Sequence, residues 1–119
     1  MTTRAARGAI VVPGDEREHV LGQSARLVGE LLARNDVASD DVVSIFFTAS
    51  PDLVSAFPAE GARELGLTGV PLLCAQEIAV PGSMPRVIRI LMHFATDRAQ
   101  SEVQHVYLDG AELLRDDLT

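Results

Sequence analysis

At 119 residues the chain has room for one domain with one hydrophobic core, because folded domains most often fall at about 100 to 150 residues. Hydrophobic residues make up 47% of the composition, yet no apolar run approaches the ~20 residues needed to span a bilayer, so one soluble globular domain over residues 1–119 is expected, with no membrane role. A net charge of −7 with no Lys/Arg cluster argues against a nucleic-acid partner. The single Cys74 excludes an intrachain disulfide, and it matches no metal-ligand spacing with His19, His93 and His105, so no metal is expected. Nothing in Met1 to Gly8 resembles an export signal, which points to a cytoplasmic location.

In chain order, Arg4 to Val12 reads as a first strand ended by Pro13-Gly14. Asp15 then predicts a helix N-cap, with Glu18 completing a capping box, and Val20, Leu21, Ser24, Leu27, Val28, Leu31 and Leu32 recur at helical spacing to about Arg34. Val42 to Ala49 is a β-prone run, broken by Ser50-Pro51-Asp52. A short helix is expected from Pro58 to Leu65, ended by Gly66.

The stretch from Val70 to Ala95 holds two short apolar runs joined by a Pro/Gly-rich turn, and apolar residues on both faces predict two buried strands. Thr96 to Glu102 reads as a turn or a single helical turn. Val103 to Leu108 and Ala111 to Leu114, joined by Asp109-Gly110, carry a hairpin signal. The order β, α, β, short α and four strands predicts an α+β domain, a mixed β-sheet with helices packed on one face. A sheet apolar on both sides, in a chain with one long helix, buries its second face against another subunit, so an oligomer is expected.

Two residues in the central strands break the apolar pattern. Glu77 and Arg89 stand where apolar side chains would be the default, and a buried charge costs several kcal/mol unless it is paired or meets a charged ligand. Arg7, Tyr107 and Arg115 also lie on or beside predicted strands. Guanidinium groups gathered in an apolar site recognise carboxylates in a bidentate manner, and a carboxylate and a phenol add an acceptor and a donor. Such a set suits a small polycarboxylate bearing a hydroxyl. The same spacing equally fits strand-end arginines that reach solvent. No motif pairs Cys74 with a histidine for nucleophilic catalysis, and no nucleotide-binding glycine pattern occurs.

At these residues the chain resembles the monofunctional chorismate mutases of the Bacillus type. The matching stretches are Arg7-Gly8-Ala9, Thr48-Ala49-Ser50-Pro51-Asp52-Leu53, Phe57-Pro58-Ala59, Arg63-Glu64-Leu65, Val70-Pro71, Cys74-Ala75-Gln76-Glu77, Arg86-Val87-Ile88-Arg89-Ile90, His105-Val106-Tyr107-Leu108 and Leu114-Arg115-Asp116-Asp117-Leu118. They run in order over nearly the whole chain. The resemblance implies a homotrimer with a barrel-like core and active sites between subunits. It implies conversion of chorismate to prephenate, a Claisen rearrangement in the shikimate route to phenylalanine and tyrosine, with no cofactor.

By the same resemblance Arg7 and Tyr107 would meet substrate carboxylate, Arg89 the ether oxygen and a carboxylate, and Glu77 the substrate hydroxyl. Leu73, Cys74, Ala75 and Gln76 would line the pocket. Phe57, Arg63 and Arg115 would wall the cleft, with Phe57 coming from the neighbouring subunit. Two departures stand out. Glu60 replaces a lysine frequent in the family and puts a negative charge at the expected mouth, and the tail stops at Thr119, shorter than in relatives. The competing readings are a trimeric imine or enamine deaminase or a ligand-binding protein on a similar fold, and a mutase relative without activity.

Overall fold

The computed structural model describes the backbone of residues 1–118 and the side chains of residues 1–114. Five strands form one mixed sheet: β1 (Thr2–Val11), β2 (Val42–Ala49), β3 (Leu72–Gln76), β4 (Val87–Thr96) and β5 (Val106–Leu108), in the order β3-β2-β4-β1-β5. β4 is the antiparallel centre, paired with β1 on one side and β2 on the other. The outer pairs, β1 with β5 and β2 with β3, are parallel. Two helices, α1 (Arg17–Arg34) and α2 (Ala59–Glu64), supply the crossovers that parallel strands need. Among the described residues no helix is long and apolar enough to cross a membrane.

Helix α1 lies along one face of the sheet because its apolar stripe of Val20, Leu21, Leu27, Val28 and Leu31 meets the alternate residues Ile10, Ile45, Phe47, Ile88, Met92 and Phe94. The approach is close at β1. A Cβ on Gly8 would come within 3.1 Å of the methyls of Leu27 and Leu31, so a side chain there would force those leucines to shift by a few tenths of an ångström. At Gly61 a Cβ would stand 2.6 Å from the Leu21 carbonyl, and Ser24 donates a buried hydrogen bond of 2.6 Å to the Pro58 carbonyl. These two contacts seat α2 on α1.

The α+β class, one mixed sheet and the long helix agree with the sequence reading. Strand β2 runs over the predicted residues, and the short helix forms with Pro58 at its N-cap and Gly66 at φ 91° past its end. Four expectations need correction. The first strand begins at Thr2. The capping box does not form: Glu16 is the N-cap without a side-chain bond, and Asp15 instead accepts from the backbone N–H groups of Val54 and Ser55, each at 3.1 Å. Two donors from a distant loop claim the carboxylate that local pattern assigns to the helix.

The third correction concerns β3, predicted to be buried on both faces. It is an edge strand with Leu72 and Cys74 partly buried against the core and Leu73, Ala75 and Gln76 exposed, so one of its faces is left open among the described residues. The fourth concerns the hairpin. Asp109 (φ 55°) and Gly110 (φ 100°) take the left-handed conformations that a tight turn requires, but β5 pairs in parallel with β1 and the chain continues into a 3₁₀ helix, Ala111–Leu118. Asp109 is held by Gln23 and Arg26 of α1, and Ala111 is buried against Ala9, Val87 and Tyr107, so tertiary contacts redirect the chain after the turn.

Candidate active site

The face of the sheet turned away from α1 carries the charged residues. Register places Ala75, Thr48, Arg89, Ala9 and Tyr107 side by side across all five strands, and residues so opposed project to one face. Arg7, two positions from Ala9, stands on the same face opposite Leu91, which in turn opposes Phe46. A cleft of about 340 Å³ opens there, bordered by Arg7, Phe46, Thr48, Arg89, Leu91 and Tyr107.

The start of β4 sets where Arg89 stands. Val87 donates its N–H to Ser50 Oγ at 3.0 Å, and Arg86, at φ 54°, donates its N–H to Asp52 at 2.9 Å and its Nε to the Val12 carbonyl at 3.0 Å. Burial works to raise the Asp52 carboxyl, but hydrogen bonds from Ser50, its own backbone and Arg86, with the Arg86 charge, hold it below its ordinary value. The Ser50-Pro51-Asp52 break is thus a clamp that fixes the register of the catalytic candidate three residues on.

Glu77 sits one residue past β3, where its N–H still bonds the Ala49 carbonyl at 2.9 Å. Its Oε1 lies 3.2 Å from Arg89 Nε and its Oε2 accepts from Thr48 Oγ1 at 2.7 Å. With side chains 35% and 21% exposed, the pair is half-buried, so the partner's charge matters more than it would in open water. Tyr107 Oη is buried and has no hydrogen-bond partner among the described residues. A buried hydroxyl left without an acceptor costs about 1–3 kcal/mol, which a ligand oxygen would recover.

A second hollow of about 380 Å³ lies elsewhere on the chain, between the loop before α2 and the edge strand, bordered by Arg17, Phe57, Glu60, Cys74 and Gln76. Glu60 is paired with Arg17 at 2.5 Å, so the negative charge expected at a mouth is neutralised within the chain. Burial pushes the Cys74 thiol up, against a backbone hydrogen bond at Ala59 and the Arg63 charge. Thiolate is scarce at neutral pH, so Cys74 is poorly suited to nucleophilic attack.

A family model described as chorismate mutase type I matches residues 3–118. The chain belongs to the chorismate mutase type I family. It is 47% identical over 116 residues to a protein of Thermus thermophilus named chorismate mutase AroH, covering 97% of this chain and 95% of that one. The protein of that name from Bacillus subtilis is 38% identical over 120 residues, covering 100% and 94%. A solved structure of a chorismate mutase from Clostridium thermocellum matches with a TM-score of 0.90 at 40% identity, over 92% of this chain and 97% of that one.

In this type I family member the expected site residues fall into two groups. Arg7, Arg89 and Tyr107 border the sheet-face cleft, with Glu77 joined to it through Arg89. Phe57, Cys74, Ala75 and Gln76 border the second hollow. Leu73 is exposed opposite Phe46, and Arg63 is exposed at the end of α2, bordering neither hollow. The Arg115 side chain lies outside the described residues.

Sequence reasoning missed three participants. Thr48 and Phe46 enter the cleft by cross-strand register, and His105 Nδ1 accepts the Arg7 backbone N–H at 3.0 Å. Alternation along β2 would have put Phe46 and Thr48 on one face, but not beside Arg89. Among the described residues no cluster of three or more His, Cys, Asp or Glu is placed to hold a metal ion.

Proposed function

We propose that this chain converts chorismate to prephenate, an intramolecular Claisen rearrangement in aromatic amino acid biosynthesis, as a cytoplasmic homotrimer with active sites between subunits and a barrel-like core built from the three sheets. One observation carries the reading beyond family membership. Two guanidinium groups, a carboxylate and a phenol without a partner among the described residues gather around an apolar-walled cleft on a sheet face that none of the described residues covers.

The chemistry follows from what such a reaction needs. The substrate is a dianion that must fold into a compact conformer before its two reacting carbons meet, and holding its carboxylates and hydroxyl supplies that entropy in advance. Arg7 and the Tyr107 hydroxyl hold carboxylate. Glu77 has capacity beyond Arg89 and Thr48, since an ionised carboxylate offers about four acceptor positions, and it takes the substrate hydroxyl. As the C–O bond breaks, negative charge grows on the ether oxygen, and the Arg89 cation stabilises that state more than the ground state. No protein nucleophile enters the scheme, in keeping with the raised Cys74 thiol.

Assembly completes the site. Phe57 and Cys74 border a different hollow from Arg89 within one chain, so in the trimer a neighbour's hollow closes over the sheet-face cleft. The apolar Phe46, Leu73 and Leu91 of the uncovered face are the surface such a neighbour buries. The test is ultraviolet detection of chorismate loss, with prephenate identified as the product, run beside an imine-hydrolysis assay. Turnover of chorismate alone is expected. Imine hydrolysis without chorismate loss would overturn the reading.

A further inference from the structure

We propose that Thr48 is a positioning residue for the rearrangement, holding the Glu77 carboxylate so that Oε1 faces Arg89. The inference rests on the reading of the sheet-face cleft as the chorismate site. Three groups, on β2, on β4 and on the residue just past β3, form a chain: Thr48 Oγ1 donates to Glu77 Oε2 at 2.7 Å, and Glu77 Oε1 lies 3.2 Å from Arg89 Nε. Thr48 and Arg89 are direct partners in the β2/β4 register, so the hydroxyl and the guanidinium rise from the sheet side by side and the carboxylate spans both.

The need for such a hold comes from where Glu77 sits. It follows the last residue of an edge strand, so the ladder supports its backbone on one side only, through the Ala49 carbonyl. Its side chain has three rotatable bonds and is 21% exposed, so a free carboxylate there gains by turning toward water. Thr48 opposes that turn. Its branched Cβ restricts χ1, which presents the hydroxyl in a defined direction, and its single proton is committed to Oε2. With one carboxylate oxygen tethered, the other is presented to Arg89, and the guanidinium is aimed before substrate arrives.

A threonine in a strand has an ordinary structural reading as well, since it is a good β-former. Thr48→Val separates the two. Valine keeps the shape and β-propensity and removes only the hydroxyl. Loss of a hydrogen bond to a charged group corresponds to roughly ten- to a hundredfold in rate when the group it holds acts in the transition state. Thr48→Val is therefore expected to lower kcat by at least about tenfold with KM changed by less than about threefold, while the melting temperature and oligomeric state stay near wild type. Thr48→Ser, which keeps the hydroxyl, is expected to retain kcat within about threefold.

A double-mutant cycle adds a readout that a merely structural role would not move. In a Glu77→Gln background the further cost of Thr48→Val in kcat should largely vanish, because the two residues act as one unit. Wild-type kcat in Thr48→Val, an equal loss in Thr48→Ser, a change confined to KM, or full additivity in the cycle would each overturn the proposal. Should Thr48→Val not fold, Thr48→Ala gives the same comparison with a smaller side chain. A wild-type protein that leaves chorismate untouched would overturn both this proposal and the function it rests on, whereas an active wild type with an indifferent Thr48→Val overturns this proposal alone.

Discussion

The two faces of one sheet are built from alternate residues of the same strands, and they differ in kind. On the α1 side Ile45, Phe47, Ile88, Ile90, Met92 and Phe94 are at most 3% exposed. On the other side Phe46, Thr48, Arg89, Leu91 and His93 keep solvent contact. A single-residue step along β2 or β4 thus moves from a close-packed core to a surface that holds charged and polar side chains. The difference explains how a small chain can place Arg7 and Arg89 in its sheet at all. Fixing a cation costs several kcal/mol in the packed face, but far less where water and Glu77 reach it. Stability is drawn from one face, and the proposed chemistry is left to the other.

The sharpest way to break this division is at Arg89. If its guanidinium meets charge developing on the ether oxygen, Arg89→Ala should lower kcat by about two to three orders of magnitude, since removing one preorganised donor costs roughly 3 to 4 kcal/mol. Because Arg89 faces away from the core, the variant should remain folded, with circular dichroism like the wild type. Arg89→Lys should recover little, as a point charge on another stem cannot reproduce the fork. Steady-state kinetics showing an intact kcat and only a raised KM would reduce Arg89 to a substrate anchor.

Phe46 and Phe47, neighbours in sequence, test the two faces directly. Phe47→Ala opens a cavity under α1 and should cost about 3–5 kcal/mol in denaturant unfolding compared with wild type at equal protein concentration. Phe46, 42% exposed in the single chain, should matter to assembly instead. If the proposed trimer buries this face, Phe46→Asp sets a charge in the interface, so sedimentation should shift toward the single chain while the fold persists. A Phe46→Asp protein that sediments as wild type would show that the open face is not where subunits meet.

Much of the packed face could be read from the sequence. Helical spacing from Val20 to Leu32 marked α1, and the β-prone run from Val42 marked β2, because these patterns are local and are paid out in the same core. The charged anomalies Glu77 and Arg89 were legible for the same reason: they interrupt apolar runs. Their neighbours were not. Thr48 meets Glu77 across 29 residues, and a bulge between Val42 and Ser44 shifts the register that brings Thr48 opposite Arg89. Composition also misplaced β3, since an edge strand with one open face can carry the same apolar residues as a buried one. Asp15 and Asp109 failed for a third reason, as both satisfy a local motif and are then taken by distant donors.

Asp109 gives the smallest and most conditional effect, because it ties the two faces together at the rim. It follows Leu108 at the end of β5, next to Tyr107 of the cleft, and accepts from Gln23 and Arg26 of α1, each at 2.6 Å. The Gln23 hydrogen bond holds its carboxyl below the ordinary value, opposed by burial and assisted by the hydrogen bond and charge of Arg26. A carboxyl depressed in the folded state contributes stability that is present above the unfolded value of about 3.9 and is lost as pH falls through the folded one. The Arg26 pair is well exposed, so the contribution is discounted to about 0.2–1 kcal/mol. Asn also tolerates a left-handed φ, so Asp109→Asn removes charge with little backbone strain. Its melting temperature should lie slightly below wild type at pH 7, and the gap should close as pH drops below about 4 and narrow in high salt. A gap that persists unchanged at pH 2 would mean that turn geometry, and not the carboxylate's charge, couples β5 to α1.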